Sequence, residues 1–479
     1  MSDTRPRYLI AIDNGSQSSK VTVFDQHGTA VSEGVQELRP CHTPRPGVVE
    51  HPDDDLWTSI GEAARRAMAG FTGDPADIAG VGLCTIRFCR AVLKGDGSLA
   101  QPVMSWMDER VSRPYEHTDP AAAKVTASSG YITHRMTGHF RDTAANYAGL
   151  WPLDPDTWRW SEDESVLKSF GAPREMLMEL VLPGEVLGEV TREAAEHTGI
   201  PAGLPVVATA NDKAVEALGC GLRSPDTLLV SLGTYVAGMT TGDCYIPDGD
   251  GFWSNYASVP HAYLYESDGV RRGMWTVSWY RDLLGEEAVA QARAEGVSAE
   301  EYLNAGAAAV PPGSDGLITV LDWLAPTDAP FRKGSIIGFD GRQGKHHIHR
   351  SILEALALTV HEAAERMGAA LGTEFREVVV SGGGSNSDLV LQIFADVFGV
   401  PAQRSAVAGA AGLGAAVCAA VGTGVYPDHD RAVEAMVRGG EVFAPDAENH
   451  DLYRRLGAIH REVRAHTDPV FRRTHEIFG

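Results

Sequence analysis

No apolar run in the 479-residue chain approaches the ~20 residues a helix needs to cross a bilayer, which argues against a membrane-spanning partner role. Positive charge is scarce. Lys and Arg total 41 against 64 Asp and Glu, and a formal charge of −23 argues against nucleic acid or an anionic membrane surface as a partner. Cysteine is sparse too: Cys41, Cys84, Cys89, Cys220, Cys244 and Cys418 are scattered, with no Cys-x-x-Cys pair. That usage points to reduced, buried thiols in a cytoplasm and away from a structural metal. Met1-Ser2-Asp3-Thr4-Arg5 enters an apolar run almost at once, without a signal-peptide pattern. His346, His347 and His349 lack the supporting carboxylates and cysteines of a metal site and read as a solvated loop.

What is present is an ordinary globular composition, 43% hydrophobic and 22% charged, over a length that calls for more than one domain. The chain is organised around Ser381-Gly382-Gly383-Gly384-Ser385-Asn386, delivered by Val378-Val379-Val380 and followed by the apolar-periodic stretch Leu389 to Val397. Buried strand, glycine turn and amphipathic helix make a nucleotide-sized crevice. Three glycines remove every Cβ, so a flat ring or a phosphate can approach the backbone, and the helix start offers free N–H groups. The same pattern also serves as a plain tight connection.

Tyr8 to Ile12 runs into Asp13-Asn14-Gly15-Ser16-Gln17-Ser18-Ser19-Lys20, and Val21-Thr22-Val23-Phe24 follows, which predicts a β-hairpin. Its hydroxyls, amides and lysine can bond phosphate oxygens, and Asp13 at its mouth can hold Mg²⁺ through waters; the alternative is a hairpin with solvated polar residues. Thr227 to Leu232, Gly233-Thr234-Tyr235 and the apolar residues after it repeat the unit about one domain later. Two such hairpins would clamp a triphosphate between duplicated α/β domains. Pro205 to Thr209 predicts a strand that ends in Asn211-Asp212-Lys213 and opens a small-residue helix, the place where open α/β sheets bind ligands. There Asp212 is either a helix N-cap or a catalytic carboxylate.

Elsewhere, Pro52 to Gly70 and His349 to Leu371 predict helices, as do Ala408 to Gly424 and the tail from Tyr453 to Phe478 despite Pro469. Ile78 to Leu83 and Ala91 to Leu93 read as a hairpin pair, Gly184 to Val190 as a short strand pair, and Val103 to Asp108 as a strand. That arrangement would put Arg87, Trp106 and Asp108 on neighbouring strand ends, where they could grip a polyhydroxylated carbon chain. A Gly/Asp/Pro-rich stretch from Gly242 to Asp250 marks the expected boundary between domains 1–245 and 246–479.

With these residues laid out, the chain resembles the FGGY carbohydrate kinase family of xylulokinases, glycerol kinases and ribulokinases, over essentially its whole length. Asp13 to Lys20 resembles the family's first phosphate loop, Trp106-Met107-Asp108-Glu109-Arg110 its Trp-x-Asp-x-Arg element, and Asp142 to Asn146 its Asp-x-x-Asn-Ala stretch with one extra residue. Asn211-Asp212 resembles the catalytic segment and Ser231-Leu232-Gly233-Thr234 the second phosphate loop. Ser381 to Asn386, with Gln392, Ala395 and Asp396, resembles the adenosine signature.

The resemblance implies an α/β chain with two ribonuclease-H-like domains, of the actin and hexokinase type, around an ATP and sugar cleft. It implies that Asp212 is the general base and that Asp13 holds Mg²⁺ of Mg-ATP. Gly15, Ser16, Gln17, Ser18, Lys20, Gly233 and Thr234 would surround the phosphates, with Gly273 a weaker candidate. Gly382, Gly383, Gly384 and Asn386 would cradle adenosine. Arg87, Trp106, Asn211 and Asp212 would bind a small sugar or linear polyol. A homodimer is common in such families. Departures sit at the sugar site: Cys84-Thr85-Ile86-Arg87 replaces the xylulokinase Gln-Met-His-Gly, Phe88 replaces the glutamate of the glycerol kinase Asn-Gln-Arg-Glu, and the segment from Arg110 to Tyr131 is short. A ketose or linear polyol is the expected acceptor. The competing class is an ATP-binding switch or a degenerate kinase, in which a base beside the acceptor pocket would have no use.

Overall fold

The computed structural model describes residues 7–326, 329–406 and 409–478. Its frame is two mixed sheets. The first contains β1 (Tyr8–Asn14), β2 (Ser18–Asp25), β3 (Ala30–Glu37), β4 (Ile78–Thr85), β5 (Val186–Glu189) and β6 (Pro205–Ala208), in the order β5-β6-β4-β1-β2-β3. The second contains β7 (Thr227–Leu232), β8 (Val236–Gly242), β9 (Phe252–Tyr256), β10 (Tyr263–Ser267), β11 (Glu377–Ser381), β12 (Ala402–Ser405) and β13 (Gly439–Phe443), in the order β9-β10-β8-β7-β11-β12-β13.

The two sheets repeat one plan. β1, β2 and β3 form an antiparallel meander with β4 parallel to β1 and β6 parallel to β4. β7, β8 and β10 form the same meander, with β11 parallel to β7 and β12 parallel to β11. β1, β4 and β6 are apolar and largely buried over their length, as parallel strands covered on both faces must be. On one side Leu56, Ile60, Ala63 and Ala67 of α1 (Asp55–Gly70) pack into a core with Ile10, Ile12, Val21 and Val23. The stripe of one amphipathic helix meets the inward positions of alternating strands.

The β7–β8 hairpin belongs to the second sheet, so the change of sheet falls between Ala208 and Thr227, before the Gly242–Asp250 stretch. That stretch is only the connection from β8 to β9. Arg90–Lys94 pairs with Ala122–Ala127 and not with β4. Gly184 to Val190 yields the single strand β5, hydrogen-bonded to β6. In Val103 to Asp108 only Met104 bridges, to Glu50 and Arg90.

The helix α2 (Asp212–Gly219) is held by a partner from far along the chain, α5 (Ala410–Gly422). An added Cβ at Gly414 would lie 1.9 Å from the Val215 carbonyl oxygen, and one at Gly219 1.9 Å from that of Ala410. Gly82 of β4 meets α5 equally closely, at 2.1 Å from the Ala415 oxygen. Glycine is required at all three because backbone touches backbone. Ala408, at the start of the expected helix, lies outside the described residues.

The histidines 346, 347 and 349 lie in the first turns of α3 (Lys345–Leu371), not in a solvated loop. His349 is fully buried and its Nε2 donates to Asn304 Oδ1 at 2.8 Å, while His460 in α6 (Ala447–Phe478) donates from Nε2 to the Thr319 carbonyl at 3.0 Å. No cluster fit to hold a metal occurs among the described residues. Burial pushes both imidazoles down, each to about 4 from 6.5. The unfolded chain therefore binds protons that the folded one refuses. Their contribution to stability is complete above pH 6.5 and lost as pH falls toward 4. At about 1.4 kcal/mol per pKa unit the loss is on the order of a few kcal/mol. Melting curves from pH 7 to 4.5 should show it, and the double variant His349→Gln/His460→Gln should have a flatter profile. An unchanged slope in that variant would remove these rings as the cause.

Candidate active site

β1 and β7 open the two meanders, and the turns that follow them are the two hairpin loops. In the first, Gly15 N donates to the Ser18 carbonyl at 3.0 Å, which leaves Ser16 and Gln17 exposed at the tip. Ser19 points inward, with its Oγ 2.7 Å from Asn14 Nδ2 and 2.7 Å from Ser59 Oγ, so Asn14 and Ser19 brace the loop. Lys20 pairs with Glu33 at 2.7 Å and lies over Gly409, where a Cβ would come within 3.0 Å of its Nζ.

In the second loop Thr234 is exposed, and its carbonyl accepts from Gly273 N at 2.8 Å, while that of Gly233 accepts from Met274 N at 3.1 Å. Gly273 itself is buried, and a Cβ there would lie 2.2 Å from Val236 Cγ2. Glycine is thus required there by packing, and its N–H holds the loop from behind.

The three glycines after β11 have three different duties. Gly382 has φ +85°, and a Cβ would press on the Leu232 carbonyl at 2.5 Å. Gly384 is buried against Leu232 and Met274. Gly383 is exposed with nothing within 4 Å of its Cβ position, so it is the open floor that a ring or phosphate can reach. Asn386 is exposed at the end of the turn, and Ser387 caps α4 (Asp388–Phe398). Asp396 and Gln392 face away: Asp396 accepts from Asp446 N at 2.8 Å and Asn449 Nδ2 at 2.9 Å, anchoring the start of α6.

After β6, Asn211 is the N-cap, its Oδ1 accepting from Ala214 N at 3.2 Å. Capping by Asn211 leaves the Asp212 carboxylate free of that duty. Asn211 is buried, and its amide also exchanges hydrogen bonds with Asn255 at 3.2 Å and 3.3 Å, which ties the two sheets together. Asp212 Oδ1 accepts from Lys213 N at 2.9 Å and lies 3.8 Å from Arg87 Nε. Burial raises its pKa, opposed by Arg87 and Lys213.

Arg87 follows β4 and reaches across to the second sheet. Its Nη1 and Nη2 donate to Glu266 Oε2 and Oε1 at 2.6 and 2.9 Å. Phe88, held at φ +62°, and Trp253 place their rings 5.3 and 5.2 Å from the guanidinium carbon. Trp106 is half exposed, and Asp108 is committed to Arg110 at 2.6 Å and to Val49 N at 2.8 Å, so the expected trio of strand ends is not formed. The aromatic that flanks Arg87 from the second sheet is Trp253. A cavity of about 170 Å³ opens beside Phe88, lined also by Cys89, Ala148, Leu150 and Trp151.

Beneath the loops, Glu216 of α2 accepts from Lys213 Nζ at 2.8 Å, Ser231 Oγ at 2.8 Å and Ser381 Oγ at 2.5 Å. One carboxylate thus ties the helix of Asp212 to the strand ends before both the Gly233 and the Gly382 turns. Burial opposes its charge, but Lys213 and the two hydroxyls hold its pKa below the usual range. Asp13, by contrast, is raised to about 7 by burial and by Asp212 and Glu216, against the pull of Lys20 and Lys213. These carboxylates do not converge as a direct ligand set, so a divalent cation would be held at Asp13 through water. Glu266, Trp253 and Glu216 went unmarked in the sequence reading. The one signal was an acidic residue in the otherwise apolar, aromatic run Tyr263-Leu264-Tyr265-Glu266.

Comparison with known proteins bears on this site. Residues 8–123 and 111–219 match the N-terminal domain of the FGGY family of carbohydrate kinases, and residues 228–423 match its C-terminal domain. The chain is 49% identical over 472 residues to YgcE of Escherichia coli (strain K12), described as an uncharacterized sugar kinase, covering 98% of this chain and 96% of that one. It is 26% identical to an autoinducer-2 kinase of the same strain, over 93% of this chain and 92% of that one. Among solved structures, the gluconate kinase of Lactobacillus acidophilus superposes with a TM-score of 0.83 at 20% identity, over 98% and 100% of the two chains. The xylulose kinase of the same organism gives 0.82 at 20% identity, with the same coverage.

Proposed function

The chain belongs to the FGGY family of carbohydrate kinases, and from that premise we propose that it moves the γ-phosphoryl group of Mg-ATP to a hydroxyl of a small ketose or linear polyol. The observation that carries the acceptor side of this reading is Asp212, the first residue of a helix whose cap is supplied by another side chain, set beside Arg87. Phosphoryl transfer asks for positioning and charge neutralisation more than for covalent chemistry.

Asp212 accepts the proton of the attacking hydroxyl at its carboxylate oxygen. Burial raises its pKa and makes it a stronger base than an ordinary carboxylate, while Arg87 and Lys213 favour its charged form. Arg87, locked to Glu266 and flanked by Phe88 and Trp253, holds the acceptor's other hydroxyls. Ser16, Gln17, Lys20 and Thr234 stand around the terminal phosphates, and Gly383 with Asn386 receives adenosine. Asp13 would hold magnesium through water, and the ion would supply charge neutralisation at the phosphates. Glu216 keeps the loops and Asp212 in one register through Ser231 and Ser381. No helix among the described residues is long and apolar enough to cross a membrane, and we place the reaction in the cytoplasm.

A coupled ADP-release assay with Mg-ATP tests the reading across ketoses and three- to six-carbon polyols. Turnover should rise strongly with one acceptor over the acceptor-free rate. ADP release independent of every acceptor in the panel would defeat it.

A further inference from the structure

We propose that Glu266 restricts the acceptor to uncharged sugars and polyols by neutralising Arg87, so that the matching sugar acids are rejected; the inference rests on the phosphoryl-transfer reading above. An arginine beside the base would ordinarily be the natural seat for a substrate carboxylate, because its planar fork matches two oxygens at once. Here that fork is already filled. Both Nη atoms of Arg87 donate to Glu266, whose side chain is only 1% exposed. A substrate carboxylate could take the fork only by leaving Glu266 buried and unpaired.

The other cations near this cluster have carboxylate partners as well. Lys213 is paired with Glu216 at 2.8 Å, and Lys20 with Glu33 at 2.7 Å. Three cations therefore face five carboxylates, those of Asp13, Glu33, Asp212, Glu216 and Glu266. Arg87 Nε stands 3.8 Å from Asp212, beyond hydrogen-bond reach, so this N–H stays available as a donor from a group whose charge is already balanced. That suits a hydroxyl. Trp253 and Phe88 flank the same guanidinium with apolar faces that fit a carbon chain and offer an anion nothing.

The test takes whichever neutral acceptor gives turnover and its matched acid, in which a terminal CH₂OH is replaced by carboxylate, with a panel of aldonates run alongside. In the native enzyme kcat/KM for the acid should be at least about 100-fold below that of the neutral partner, the scale of a like-charge clash in a closed pocket. Glu266→Gln keeps a hydrogen bond to Arg87 but removes the charge, and it should narrow that ratio about tenfold or more. Glu266→Asp should leave the discrimination in place. Native turnover of an aldonate equal to or above its neutral partner would overturn the inference while leaving phosphoryl transfer intact. A folded Glu266→Gln with an unchanged ratio would remove Glu266 as the cause. Should that variant not fold, the native ratio and Glu266→Asp still decide. Absence of turnover with either class would instead defeat the underlying reading of the site and this inference with it.

Discussion

Asp212→Ala will lower acceptor-dependent ADP release by about 10²- to 10⁴-fold, the range general-base catalysis supplies. The loss should fall on kcat with little change in the KM for Mg-ATP, because the side chain serves the acceptor hydroxyl and not the nucleotide. The variant should also fold as well as the native chain. Asn211, not Asp212, caps α2, so no helix cap is lost. Burial disfavours the Asp212 charge, so its removal relieves a cost. A steady-state comparison beside a melting curve separates the two effects. Native-like turnover would mean the proton leaves by another route, and a collapsed melting temperature would mean that Asp212 is structural.

The largest effect on stability should come from Glu354→Ala, at about 3–5 kcal/mol, the cost of breaking a buried ion pair from one side. Glu354 and Arg350 are both buried in α3, with Nε and Oε1 at 2.8 Å. Glu354 also accepts from Gly313 N at 2.9 Å, Ser314 Oγ at 2.8 Å and Tyr453 OH at 2.7 Å. The carboxylate thus joins three separate segments, and its loss leaves Arg350 a buried charge with only the Ala307 carbonyl and the Tyr453 hydroxyl, among the described residues, to accept from it. Urea titration of the two proteins measures the difference. A shift under about 1 kcal/mol would mean that α3 and α6 are held by packing alone.

Local signals carried the site further than they carried the fold. Asp13, Gly15 and Lys20, or Gly233 and Thr234, are legible because an apolar strand, a polar glycine turn and a second strand sit within about fifteen residues. Asp212 is legible for the same reason, at the junction of β6 and α2. Glu266 is not, because its meaning depends on Arg87, which lies 179 positions away and across the cleft. The boundary at Gly242 to Asp250 misled for a physical reason: composition reports exposure of the backbone, and a long exposed connection between β8 and β9 resembles a linker. The real change of sheet occurs in the inconspicuous segment after α2. The strand expected over Val103 to Asp108 misled similarly, since its apolar residues suggested a full strand where only Met104 bridges.

The backbone contact between α5 and the first sheet also bears on how the molecule is made. The first sheet leaves the ribosome complete by Ala208, yet the surface formed by Gly82, Val215 and Gly219 awaits a helix that ends at Gly422. Until nearly nine-tenths of the chain is synthesised, that surface has no native cover, and a nascent first half is an aggregation-prone intermediate of the kind chaperones bind. Gly82, Gly219 and Gly414 are then constraints on biogenesis as much as on the finished enzyme.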